Sequence, residues 1–386
     1  MFASLGSMLD IDFGDLIDFL GEDPHTRSIM IYMESVGNAK KFMSAARGFA
    51  RNKPIVVIKP GRFNESAKAA VSHTGSMAGD DAVYDAAFKR AGVVRVKEIG
   101  ELFNAAEVLD SKRLPKGPGM VIITNAGGPA VMATDTLMEL GGKLVDLSAD
   151  SFMQLDASLP PSWSKNNPVD VLGDADIKRY SNAMEICLKD PGVNGIIVIY
   201  TPQGASSPVA LANTLSEIAA NASVPIITVM MGGSEADKGR EVLLKHNVPS
   251  YETPEEAIKT YMYMYRYGKN LELLYETPAE ISIDHAPPRH HLKALIKRAR
   301  GEGRVILSEA ESKSFLKDYG IPVAETSVAK DIEEAVREAS AIGYPVVLKI
   351  ASSLITHKSD VGGVVTDIGS EMALREAYCT MASRVK

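Results

Sequence analysis

Cysteine is scarce in this chain of 386 residues: Cys187 and Cys379 are the whole complement, and they lie far apart. That excludes a disulfide framework and a cysteine-rich metal site, and it suits a reducing, cytoplasmic setting. Long apolar runs are missing too; none reaches the about 18 residues that a membrane-spanning helix requires. Positive charge is in short supply, with 42 Lys and Arg against 49 Asp and Glu and a net charge of −7. Such a balance excludes the broad basic face of a nucleic-acid or anionic-membrane binder. Any anionic ligand must then be held by local groups rather than by the field of the whole molecule. The opening "MFASLGSMLDIDFGD" has early acidic residues and no basic stretch, so it is no secretory signal and reads like the inside of a domain.

What is present is an ordinary globular composition, 45% hydrophobic and 24% charged, in a chain long enough for two or three domains. Short runs rich in Ile and Val ("SIMIYM", "PIVVIK", "VVRV", "GMVIIT", "KLVDL", "GIIVIY", "PIITVMM") alternate with helical stretches such as "DDAVYDAAFKRAG" and "DIKRYSNAMEICLKD". This alternation predicts an α/β protein of parallel sheets covered by helices on both faces. "DSKRLPKGPG" at 110–119 marks a junction between two α/β units, giving a first domain over 1–112 and a second over 113–274. "YETPAEISIDHAPPRHH" at 275–291, with three prolines and three histidines, reads as an interdomain linker. Its histidines lack helical i, i+4 spacing and acidic or cysteine company, so no metal ligand is assigned. Residues 292–386 form a third region: helix, short strand, helix, a strand ending in Lys349, a loop and another strand. There is no G-x-G-x-x-G after a strand and no Walker-type phosphate loop.

Four stretches could share one chemistry. In "VSHTGS", His73 is a nucleophile that is largely neutral at neutral pH, flanked by the small hydroxyl-bearing and flexible residues Ser72, Thr74 and Gly75. The alternative is a surface histidine beside a capped turn. In "IITNAGGPAVMATD" a strand runs into Asn125, Gly127 and Gly128, with Pro129 expected at the first helical position. A helix starting there would offer its amides and dipole to an anion, or be a well-built turn with nothing bound. In "YPVVLKIASSLITHKSDVGG", Lys349 ends an apolar strand within reach of a nucleotide phosphate, and His357 and Lys358 follow in a loop. In "IMIYMESVGN", Glu34 lies past a strand's carboxyl end, where open parallel sheets place ligands, and could fix the ring of His73. "NNPVDVLGDAD" at 166–176 puts Asn167 and Asp170 in a post-strand turn, where turn chemistry and helix capping account for them.

The ordered set "YMESVGNAKKF", "VVIKPGRFNESAKAAVSHTGSMAGDD", "TNAGGPAVMATD", "SSLITHKSDVGGV" and "SEAESKSFLKDYGIPV" resembles the nucleoside-diphosphate-forming acyl-CoA synthetases, relatives of succinyl-CoA synthetase. The resemblance implies two flavodoxin-like ligase domains followed by part of an ATP-grasp domain. It implies interconversion of acyl-CoA, phosphate and ADP with acid, coenzyme A and ATP through an acyl phosphate and a phosphohistidine. His73 would carry the phosphoryl group and Glu34 steady its ring. Ser72, Thr74, Gly75, Asn125, Gly127 and Gly128 would surround the phosphate. Lys349 would contact nucleotide, and His357 would relay phosphoryl toward it. ATP or ADP, Mg²⁺ and coenzyme A are the implied cofactors, the coenzyme A site being expected on an N-terminal domain not seen here. A homo-oligomer, or a complex with a chain supplying the missing domains, is expected, and full activity from this chain alone is not. The competing expectation is a regulatory or scaffold role, as in fusions to a protein acetyltransferase.

Overall fold

The computed structural model describes residues 1–63, 65–66, 80–110, 113–204, 206–276, 289–352, 355 and 358–384. It divides into two compact units, Met1–Thr277 and Pro278–Lys386.

The first unit holds two parallel sheets. Strands β1 (Ile29–Tyr32), β2 (Ile55–Ile58) and β3 (Val94–Val96) lie in that order, paired from Ile29 with Ile55 and from Val56 with Val94. They alternate with helices α1 (Phe13–Glu22), α2 (Ala39–Phe49), α3 (Asp81–Arg90) and α4 (Ile99–Leu109). Three of these helices begin at a side chain that suits the task. Asp12 and Asp15 form a capping box on α1, Asn38 accepts from Lys41 N–H on α2, and Asp80 accepts from Ala82 N–H on α3.

The second sheet contains β4 (Gly119–Thr124), β5 (Lys143–Leu144), β6 (Val169–Asp170), β7 (Ile196–Tyr200), β8 (Ile226–Met230) and β9 (Ser250–Tyr251). Its order is β5-β4-β7-β8-β9, with β6 extending the sheet beside the far end of β4. Every pairing is parallel. Six helices accompany it: α5 (Gly127–Glu139), α6 (Ala149–Ser158), α7 (Ile177–Lys189), α8 (Pro208–Asn221), α9 (Ser234–Lys245) and α10 (Pro254–Tyr275). The two-residue strands β6 and β9 are too short for sequence periodicity to show.

Alternate residues of one strand serve different cores. Val121, Ile123, Ile196 and Val198 enter one apolar cluster, while Met120, Ile122, Ile197 and Ile199 enter another that also contains Val56, Ile58, Val94 and Val96. The two sheets therefore share a core, and α10 fastens it. Tyr261 Oη donates to the carbonyls of Gly117 and Gly119, each at 3.0 Å, and Tyr263 Oη donates to Glu101 at 2.7 Å. Tyr267 Oη donates to Ala50 O at 2.8 Å and Asn270 Nδ2 to Val93 O at 2.9 Å. One long helix thus satisfies buried carbonyls from both sheets.

The second unit has helices α11 (Arg289–Gly301), α12 (Glu309–Asp318), α13 (Ile332–Ile342) and α14 (Glu371–Arg384) around the antiparallel pair β10 (Val346–Lys349) and β11 (Val364–Ile368). The short strand expected after α12 does not form; residues 321–329 belong to no sheet. Nor is β10 a buried strand: its residues alternate between half-buried and exposed, so it is covered on one face only.

Candidate active site

The carboxyl edges of the two sheets gather the polar residues. Glu34 lies two residues past the end of β1 and is exposed. At the matching end of β2 stands Lys59, only 6% exposed. Its ammonium donates to Pro60 O at 2.8 Å and lies 4.8 Å from the centre of the Tyr84 ring. Burial pulls that ammonium below the usual lysine value and Arg95 adds to the effect, with Asp81 and Glu34 opposing only in part. Arg95, on β3, donates to Asp81 Oδ1 at 2.5 Å and to Lys59 O at 3.2 Å. It thereby ties the end of β2 to the start of α3.

His73, Ser72, Thr74 and Gly75 lie outside the described residues, in the chain between those two tied points. His357 lies outside them as well.

On the second sheet, β4 runs into the expected glycine turn. Helix α5 begins at Gly127, two residues earlier than expected, so Pro129 is the third helical residue and not the first. Proline is tolerated there because the first-turn N–H groups have no partner within the helix. Ala126, at the cap position, supplies no side-chain acceptor. Both glycines are exposed, and neither has a positive φ. A Cβ at Gly128 would meet nothing within 4 Å, and one at Gly127 would meet only Asp170 Oδ2, at 4.0 Å.

Asn125 is 3% exposed and fully engaged. Its Nδ2 donates to Thr201 O at 2.8 Å, and its Oδ1 accepts from Thr201 N–H at 2.9 Å. It braces the ends of β4 and β7 against each other. Asn167 has a comparable structural task, donating to Met120 O and Val145 O and accepting from Ile122 N–H. Asp170 accepts from Leu172 N–H at 2.8 Å, which leaves its second oxygen toward the glycine turn.

In the second unit Lys349 does have a partner: its ammonium is 2.7 Å from Glu309 Oε1 at the start of α12. The Lys349 contact leads in holding the Glu309 carboxyl below its ordinary value; burial opposes it and Lys313 assists. Beyond β10 the turn closes through Gly363 N–H on Lys358 O at 2.8 Å. A Cβ at Gly363 would lie 2.6 Å from Ile350 Cγ2, so this position requires glycine. Among the described residues no group of three or more His, Cys, Asp or Glu is arranged to hold a metal ion.

Sequence reasoning overlooked Lys59, Arg62, Arg95 and Asp81. The signal was there in "VVIKPGR", a lysine ending an apolar strand as Lys349 does.

The first unit is thus an α/β fold of parallel sheets in which a helix without a side-chain cap opens with two glycines at a carboxyl edge. Comparison with known proteins specifies the class. The chain matches, in order, a succinyl-CoA ligase like flavodoxin domain over residues 1–109, a Ligase-CoA domain over 120–274 and an ATP-grasp domain over 298–386. It is 35% identical over 386 residues to 4-hydroxybutyrate–CoA ligase (ADP-forming) of Nitrosopumilus maritimus, covering 100% of this chain and 55% of that one. With the alpha subunit of acetate–CoA ligase (ADP-forming) I of Pyrococcus furiosus it shares 41% identity over 269 residues, 69% of this chain and 58% of the subunit. A solved structure of dinucleotide forming acetyl-coenzyme A synthetase 1 from Ca. Korarchaeum cryptofilum, in complex with phosphate and ADP, superposes with a TM-score of 0.66 at 32% identity, covering 72% of this chain and 61% of that one. The chain thus belongs to the family of ADP-forming acyl-CoA synthetases, and it spans little more than half the length of these relatives.

Proposed function

We propose that this chain carries the phosphoryl-relay part of an ADP-forming acyl-CoA synthetase, with His73 as the carrier. In the acyl-CoA-consuming direction, phosphate displaces coenzyme A from the acyl group to give an acyl phosphate. A ring nitrogen of His73 then attacks phosphorus, the P–O bond to the acyl group breaks, and the carboxylate leaves. The phosphoryl group passes from nitrogen to a nucleoside diphosphate, which restores neutral imidazole. Glu34 accepts a hydrogen bond from the other ring nitrogen, fixing the tautomer and stabilising the charge that develops on phosphorylation.

The observation that carries this reading is the start of α5. Its two exposed glycine amides have no side-chain cap. Nothing in the backbone demands glycine at Gly128, since its φ is ordinary and a Cβ would fit. Close approach of a ligand to the amides does demand it. Asp170 beside Gly127 faces the same helix end and would be displaced or repelled by an arriving anion.

Lys349 exchanges Glu309 for a nucleotide phosphate, a swap open to it because the pair is partly exposed. His357 serves as the second acceptor on the way to nucleotide. Mg²⁺ accompanying the nucleotide would neutralise phosphate charge; no described residue is assigned to hold it. The coenzyme A site and the rest of the nucleotide site are supplied by parts of the longer relatives outside the span shared with this chain, or by a partner subunit.

The test reconstitutes the chain with those parts in trans and offers radiolabelled ATP with Mg²⁺, or acyl-CoA with labelled phosphate. An acid-labile, alkali-stable label on the wild type that His73→Ala abolishes is the expected result. Equal labelling of the variant overturns the assignment.

A further inference from the structure

Lys59 is a buried cation that the relay described above does not use. Among the described residues its ammonium has one hydrogen-bond acceptor, Pro60 O, and forms no ion pair. Three groups of charge bear on it: Arg95 from β3, Asp81 from α3 and Glu34 from the end of β1. Asp81 is already shared, since it binds Arg95 at 2.5 Å and lies 3.9 Å from Arg62 Nε. Arg62 is 37% exposed in its side chain, and Asp85 approaches Arg95 only to 4.0 Å. Arg62 and Arg95 thus share Asp81 as a close carboxylate, and Lys59 beside them pairs with none among the described residues, in a chain whose net charge is −7. An ammonium kept out of water without a counter-ion is costly, and it persists where something else compensates it.

Gly61, one residue before Arg62, has φ +78°, which a side chain would strain. Arg95 holds the main chain at Lys59 through the Lys59 carbonyl. The whole sits at the carboxyl edge of a parallel sheet, where such folds bind ligands.

We propose that Lys59 and Arg62 form an oxoanion site for inorganic phosphate, on a different sheet from the Gly127 helix start. The phosphate would bridge the Lys59 ammonium and the Arg62 guanidinium, restoring to Lys59 the counter-charge it lacks. The depressed ammonium is consistent with this, because a bound anion would raise it again. The inference rests on the phosphoryl-transfer reading for the choice of anion. Its test is independent of turnover.

Phosphate is titrated onto the full chain, without nucleotide or partner, by calorimetry at constant ionic strength. Saturable binding is expected, weakened about tenfold or more by Lys59→Met and several-fold by Arg62→Gln, a tenfold loss being about 1.4 kcal/mol. Acetate at the same concentration should not compete. Lys59→Met replaces a buried charge by an apolar side chain of similar length, so it should melt at or above the wild-type temperature. If it fails to fold, the exposed Arg62→Gln decides alone. Absence of saturable phosphate binding by the wild type, binding unchanged in the folded variants, or equal competition by acetate would each overturn the site. His73 labelling in the reconstituted complex would stand in all three cases.

Discussion

At the scale of single residues, glycine at position 128 separates folding from function. Alanine there meets open space and an ordinary φ. Gly128→Ala should therefore leave stability unchanged or raise it by up to about 1 kcal/mol. The same methyl group would stand in front of the amides, so labelling of His73 in the complex should slow by at least about tenfold. Melting temperature and labelling rate, measured on one preparation, check both halves. Glu101 offers a purely structural counterpart. Burial pushes its carboxyl up, but hydrogen bonds from Tyr263, Lys97 N–H and Lys259 outweigh that and hold it below the ordinary 4.5. A carboxyl depressed by folding contributes stability above its unfolded value and loses that contribution as pH falls through its folded value. Glu101→Gln should thus melt lower than wild type at pH 7, with the gap narrowing as pH drops below about 4.5. A gap constant with pH would contradict this. Glu34 and Lys349 are legible in sequence because each ends an apolar strand. Lys59 is equally placed, but its burial and lack of a counter-ion appear only once β3 and α3 surround it.

At the scale of elements, the alternation of strands and helices was readable because strands buried on both faces are almost wholly apolar, as β4, β7 and β8 are, with Thr124 and Thr228 the polar exceptions in β4 and β8. Helix α10 was not singled out. Its run "TYMYMYRYG" places Tyr and Met on several faces, and the reason is that it serves two sheets at once. That dual role predicts a cost. Asn270→Ala leaves Val93 O without its buried donor, and should lower the urea-unfolding free energy by about 1–3 kcal/mol. An effect below about 0.5 kcal/mol would show that α10 does not tie the sheets as described. The expected third-region strand failed for a different reason: "IPVAETSV" has strand-forming residues, but in this structure no neighbouring edge pairs with it, and an unpaired strand is not stable.

At the scale of the molecule, the two units differ in how much they bury. Among the described residues the first has three apolar clusters, whereas the second has one, built on Ala335, Val336, Ala339, Ile368 and Leu374. The single tryptophan, Trp163, is 2% exposed in the first unit. Its fluorescence therefore reports on that unit alone, while far-ultraviolet circular dichroism reports on both. In urea the dichroism should begin to fall before the fluorescence does; coincident transitions would contradict independent units of unequal stability. The share of function legible in sequence also ends at this scale. The motifs name a chemistry, but they lie in a chain that spans 55% of the length of the Nitrosopumilus maritimus ligase.

The most direct measurement is to locate the phosphoryl group itself. The reconstituted complex is quenched in alkali during turnover, digested, and sequenced by tandem mass spectrometry under conditions that preserve phosphoramidates. The account predicts a phosphoryl group on His73 in the wild type, and a markedly reduced fraction in Glu34→Gln. A phosphoryl group found only elsewhere, or a His73 fraction indifferent to Glu34, would contradict it.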